Sequence, residues 1–116
     1  MTPRTITLKV QIVRFVDEYQ PGWVACELVD ALGEAHTFVD KVPIFTTEDL
    51  DASSPYPRPG RLTCQLVAER SGPGGRRLFE VDTQVPLGIE STRGESRFVV
   101  EPPVNGEDDG DSDPWG

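Results

Sequence analysis

From residue 5 to residue 13 the chain reads TITLKVQIV, with Ile6, Leu8, Val10 and Ile12 separated by Thr7, Lys9 and Gln11. An apolar period of two places one face of a strand in a core and the other in solvent, and it is incompatible with a helix. Val13 and Phe15 continue on the opposite parity, so a bulge or bend near Val13 is expected to reconcile the two halves of one long strand. This stretch limits the chain to folds built around a twisted, half-buried antiparallel strand.

The remainder repeats the pattern at shorter length. DEYQPG supplies a turn, after which Val24, Cys26 and Leu28 alternate inward. A turn through Gly33 leads to AHTFVDKVPIF, the return strand, with Pro43 restricted to an edge or strand end because it has no ladder donor. Thr46, three residues before Asp49, resembles a capping box and predicts one helical turn there. ASSPYPRPG reads as a connecting loop. Leu62, Cys64, Leu66 and Ala68 then alternate inward, SGPGG turns the chain, and Phe79 and Val81 face back toward the core. A glycine turn at Gly94 precedes a last strand through Phe98 and Val100. Six or seven short strands, turn signals every eight to twelve residues and one short helical turn predict an all-β fold. The form expected is a small antiparallel β-barrel, OB-like or translation-factor-like, whose closure removes exposed edges.

Charge divides the 116 residues. The net charge is −9, and residues 101–116 carry six acids and no base, leaving residues 1–100 with fourteen acids and eleven bases. The organisation expected is a β-barrel domain over residues 1–101 and a disordered acidic C-terminal tail over 102–116. Within the domain, residues 1–57 hold nine acids and four bases, whereas residues 58–100 hold seven arginines and five acids. Arg4, Lys9 and Arg14 interrupt any N-terminal apolar run, and no segment has the roughly 18 apolar residues of a membrane span. A cytoplasmic protein without membrane contact is the expectation.

Chemistry-bearing residues are few. The single histidine, His36, lies four strand residues before Asp40, about 13 Å away along the strand, too far for a dyad. Cys26 and Cys64 fall on the apolar parity of their strands and read as buried core thiols; no metal site and no cofactor are expected. SGPGGRR lacks the Gly-Lys-Ser/Thr of a phosphate loop and reads as a hairpin turn. With Trp23, on the parity opposite Val24 and Cys26, residues Arg61, Arg76 and Arg77 are the candidate nucleic-acid contacts, because stacking aromatics and guanidinium groups are what a single strand requires. The tail presents Asp111, Asp113 and Trp115, an apolar anchor in an acidic peptide, as candidate partner-binding residues.

Two resemblances add to this. HTFVDKVPIF, YPRPG and PLGIEST together resemble a family of small uncharacterised bacterial proteins over most of residues 5–101, which implies a bacterial source and a β-barrel but no activity. The tail is similar to the C-terminal tip of bacterial single-stranded-DNA-binding proteins, with Asp111, Asp113, Pro114 and Trp115 in comparable places. Those tips end on the aromatic itself, whereas Gly116 follows here. The functional expectation is a non-catalytic module, of immunity or adaptor type, that binds a protein partner through an acidic surface and tail. An oligonucleotide-binding barrel with a regulatory acidic tail is the alternative, which a −9 chain disfavours because binding phosphates demands cations.

Overall fold

The computed structural model describes residues 4–103. Six strands form one antiparallel sheet: β1 (Arg4–Asp17), β2 (Trp23–Val29), β3 (Ala35–Lys41), β4 (Arg58–Ser71), β5 (Arg77–Asp82) and β6 (Arg97–Val100). They lie in the order β3-β2-β1-β4-β5-β6, so the long first strand sits at the centre with β2 on one side and β4 on the other. The sheet curls into a half-barrel around one core.

The parity of β1 builds that core. Ile6, Leu8, Val10 and Ile12 are buried, opposite Cys64, Leu62 and Gly60 of β4 and Cys26 of β2. Pairing with β2 shifts register between Ile12 and Arg14, leaving Val13 as the bulged residue at the point where the apolar pattern changes parity. Past the bulge Phe15 packs against the core and Arg14 is exposed. A second shift between Phe15 and Asp17 increases the twist into the hairpin. Val24, Cys26, Leu28, Phe38, Leu62, Cys64, Phe79 and Val81 complete the inner face. At about 25 cal/mol per Å² of apolar surface, burial of these side chains is the main stabilising contribution.

The helical turn is not where the capping-box pattern predicts. α1 spans Val42–Phe45, and Thr46 is its C-cap in extended conformation. Pro43 occupies the first helical turn, where a missing N–H costs nothing and the fixed φ favours the helix. Val42 and Phe45, one turn apart, are both buried, so core packing sets the position. Thr46 instead makes a local turn, its Oγ1 accepting the Glu48 N–H at 3.1 Å. α1 can lie close to β4 because Gly60 has no side chain. A Cβ there would stand 2.8 Å from Ile12 Cγ1 and 3.3 Å from the Phe45 carbonyl oxygen.

The expectation that closure removes every edge also needs correction. β3 and β6, the two ends of the sheet, share no strand ladder. Two backbone hydrogen bonds tie the margins together, from Ala31 N–H to the Val99 carbonyl and from Thr92 N–H to the Thr37 carbonyl, both 2.8 Å. Between them Phe38 meets Phe98 edge-on at 5.7 Å, and the His36 ring lies 4.7 Å from the same Phe98. The loop over 83–96 reaches this seam because buried Thr83 fixes its base. The Thr83 hydroxyl donates to the Ile89 carbonyl at 2.7 Å, and its N–H donates to the Ser96 carbonyl at 2.8 Å.

Candidate functional site

Three surfaces gather polar chemistry: the seam around His36, the arginines of β4, β5 and β6, and the outer face of β1 and β4.

At the seam His36 is held from both sides. Its Nε2 lies 2.8 Å from Asp30 Oδ2, and its Nδ1 lies 3.6 Å from Glu95. The partner is Asp30, six residues upstream, and not Asp40. Asp30 opens the turn between β2 and β3, its Oδ1 accepting the N–H groups of Leu32 and Glu34 at 2.9 and 3.0 Å. Burial opposes ionisation of Asp30, but the hydrogen bonds from His36, Glu34 and Leu32 outweigh it and hold the carboxyl below its ordinary range. Potential ligand atoms of Asp30, Glu34 and His36 lie within 4.8 Å of one another. Asp30 Oδ1 shapes the turn and Oδ2 engages His36 on β3, so the group ties the two chain segments together.

Cys26 and Cys64 are free and buried, and burial pushes each thiol up to about 12, with the Asp82 charge adding to the shift at Cys64. Thiols of that kind are weak nucleophiles and weak metal ligands at neutral pH.

The arginines of the second half are largely consumed within the domain. Arg58 pairs with Glu48 and Arg76 with Glu101; Arg76 also donates to the Ala31 carbonyl at 3.3 Å. Arg77 reaches Glu69 at 3.1 Å while lying 5.2 Å from the Phe79 ring. Arg70 and Arg97 converge on Glu80 at 2.6 and 3.2 Å, and Arg97 also reaches Asp82. The Arg70 hydrogen bond is the chief reason that Glu80 is held below its ordinary range, and a Gln84 N–H does the same for Asp82. By contrast Glu18, Glu27, Asp40 and Asp49 make no ion pair among the described residues, so the uncompensated surface charge of the first half is acidic.

The sequence-predicted contacts therefore do not converge. Trp23 begins β2, half-buried, with Lys41 Nζ 5.8 Å from its ring. Arg76 lies by Ala31, beyond the other end of a seven-residue strand that spans roughly 20 Å. Arg61 is on β4, away from both. Asp111, Asp113 and Trp115 lie outside the described residues.

Arg61 belongs to a different site. It stands directly opposite Lys9 across the β1 and β4 ladder, flanked by the opposed pairs Thr7 with Thr63 and Gln11 with Pro59. Neither cation makes an ion pair among the described residues. Like charges facing each other across antiparallel strands, with Cβ atoms about 5 Å apart, destabilise a sheet. The chain following α1 overhangs this strip, and the two walls enclose a groove of about 450 Å³ bordered by Lys9, Gln11, Thr47, Pro59 and Arg61. A smaller recess of about 160 Å³ continues it past Thr7, Thr63 and Ile44. Lys9 and Arg61, the hydroxyls of Thr7, Thr46, Thr47 and Thr63, and an apolar rim of Pro43, Ile44 and Pro59 suit an anion carried on a partly apolar ligand, beside the Arg58–Glu48 pair that lines the same groove. Sequence reasoning found Arg61 but not Lys9, because their opposition depends on a register between residues more than fifty positions apart. Comparison with family models, curated proteins and solved structures finds no match to this chain.

Proposed function

We propose that the chain is a non-catalytic interaction module, of immunity or adaptor type, that binds a basic protein partner through its acidic surface and the tail residues Asp111, Asp113 and Trp115. The observation that carries this reading is the internal use of cations. Five of the seven arginines from Arg58 to Arg97 are paired with carboxylates of the domain itself, whereas Glu18, Glu27, Asp40 and Asp49 make no ion pair among the described residues. A surface of that sign accelerates association with cationic proteins and repels nucleic acid. Affinity purification from lysate with the full chain and with Trp115→Ala or Asp111→Asn/Asp113→Asn tests it. Loss of a basic partner with the variants supports the reading, and identical partners for all forms would remove the tail from recognition.

The alternative, an oligonucleotide-binding barrel, draws on the groove with Lys9 and Arg61. Two phosphate contacts give a salt slope of only about −1.4 for a single strand, too little to hold nucleic acid in physiological salt. Fluorescence anisotropy with labelled single-stranded DNA separates the readings. The interaction-module reading expects no binding even at low salt, and a steep slope would favour the alternative.

A further inference from the structure

We infer that the groove between the outer face of β1 and β4 and the chain following α1 is a docking site for this chain's own segment 107–115, with its carboxylates on Lys9 and Arg61 and Trp115 against the apolar rim. The groove favours an anionic occupant, since its one lining carboxylate, Glu48, is taken by Arg58 and leaves Lys9 and Arg61 facing each other with no ion pair among the described residues. The segment from Glu107 to Asp113 carries five acids in seven residues and no base, the densest negative charge in the chain. It is also close at hand. After β6 the described chain ends at Pro103, which with Pro102 and Val29 lines a hollow of about 420 Å³ that Lys9 also lines. Lys9 borders both this hollow and the groove, so the route from the end of the described chain to the cations is short. Ten residues from Pro103 to Asp113 reach up to roughly 33 Å when extended, more than the distance across two or three strands at about 4.8 Å each.

Tethering favours this occupant over any free acidic peptide. A ligand joined by a short flexible stretch is present at an effective concentration in the millimolar range, so a weak two-cation contact is populated without high intrinsic affinity. Trp115 gives the segment an apolar end. Pro59 and Pro43 are exposed and Ile44 is half-buried at the rim, which suits an indole ring, and Arg61 offers a guanidinium plane on which that ring can stack. The inference concerns the chain alone, so a failed partner capture leaves it standing, and its own failure leaves partner binding untouched.

The experiment uses the full chain with a nitroxide attached through Ser112→Cys, because Cys26 and Cys64 are buried and resist labelling. Amide spectra of the labelled protein are expected to lose the signals of Thr7, Lys9, Arg61 and Thr63 at low salt. Those signals are expected to return in roughly 0.5 M salt, where the Debye length falls below about 5 Å. The groove variant Lys9→Glu/Arg61→Glu, carrying the same label, should keep these signals at low salt, while Arg93→Glu should lose them as the parent does. Uniform signal loss over the surface, or none at the groove, overturns the inference. So does loss in unlabelled ¹⁵N chains mixed with labelled ¹⁴N chains, which would place the contact between copies. Should the double variant not fold, the salt series on the unmodified groove decides alone.

Discussion

The seam between β3 and β6 and the groove over β1 and β4 both gather charged side chains at the surface of the sheet, yet they balance charge in opposite ways. At the seam His36 sits between Asp30 and Glu95 and Asp30 closes its own turn; just beyond, Arg97 bridges Glu80 and Asp82. In the groove Lys9 and Arg61 are set against each other, and the lining carboxylate Glu48 is engaged by Arg58, so neither makes an ion pair among the described residues. The difference separates charge that maintains the fold from charge that the fold tolerates at some cost. A polar cluster whose members satisfy one another needs no ligand, whereas an uncompensated one is a place where sequence and stability disagree, which is where function is sought.

That contrast can be broken or sharpened by measurement. The largest effect is expected from Phe98→Ala, which removes the ring that both Phe38 and His36 contact; a loss of about 3–5 kcal/mol in urea unfolding is predicted, and a loss below about 1 kcal/mol would mean the seam does not hold the barrel. Thr83→Val keeps the shape but deletes the hydroxyl that serves the buried Ile89 carbonyl, and about 1–3 kcal/mol should be lost in the same assay. Acid should act on the seam side and on the turn after α1, where hydrogen bonds from Ser53 hold the Asp51 carboxyl below its ordinary range. Asp30, Glu80 and Asp82 have carboxyls held below their ordinary range, so they bind fewer protons folded than unfolded. Their stabilisation is therefore complete above the usual carboxylate range and disappears as pH falls below about 4 through their depressed values. The urea midpoint should decline over that window, and Asp30→Asn should flatten part of the decline. The smallest effect has the most telling sign. Lys9→Glu turns a repulsive cross-strand pair into an attractive one with Arg61 and should raise stability by about 0.2–1 kcal/mol. Destabilisation by that substitution would show that Lys9 already has an anionic partner in the full chain, as a docked tail would supply, and would weaken the contrast.

Most of the sheet was legible because alternation is a local signal. The inward sets Ile6, Leu8, Val10, Ile12 and Val24, Cys26, Leu28 follow from period alone, and the parity change marks the bulge at Val13. The helical turn was displaced by one step because two local signals competed: a capping-box pattern at Thr46 and a proline suited to a first helical turn at position 43. Tertiary burial of Val42 and Phe45 decided between them. His36 and Asp30 were not joined in the sequence reading because their contact depends on how the turn through Gly33 folds back. The pairing of the second-half arginines is not legible in the sequence, because sequence counts charges but does not show their partners. Arg76, for one, is paired with Glu101, twenty-five residues away. Only the register between β1 and β4, fixed by the crossover through α1, makes Lys9 and Arg61 neighbours.

The bulge at Val13 has a consequence for how this chain can vary. It works like a frameshift between two halves of one strand, keeping Ile12 and Phe15 both on the core side although they are three residues apart. If the same residues paired without the bulge, strict alternation would send Arg14 inward and turn Phe15 to solvent, or would drag the whole β2 hairpin through one register step. The two halves of β1 therefore face the core correctly only as long as the extra residue stays unpaired, and a substitution that favoured regular pairing at Val13 would set the halves against each other.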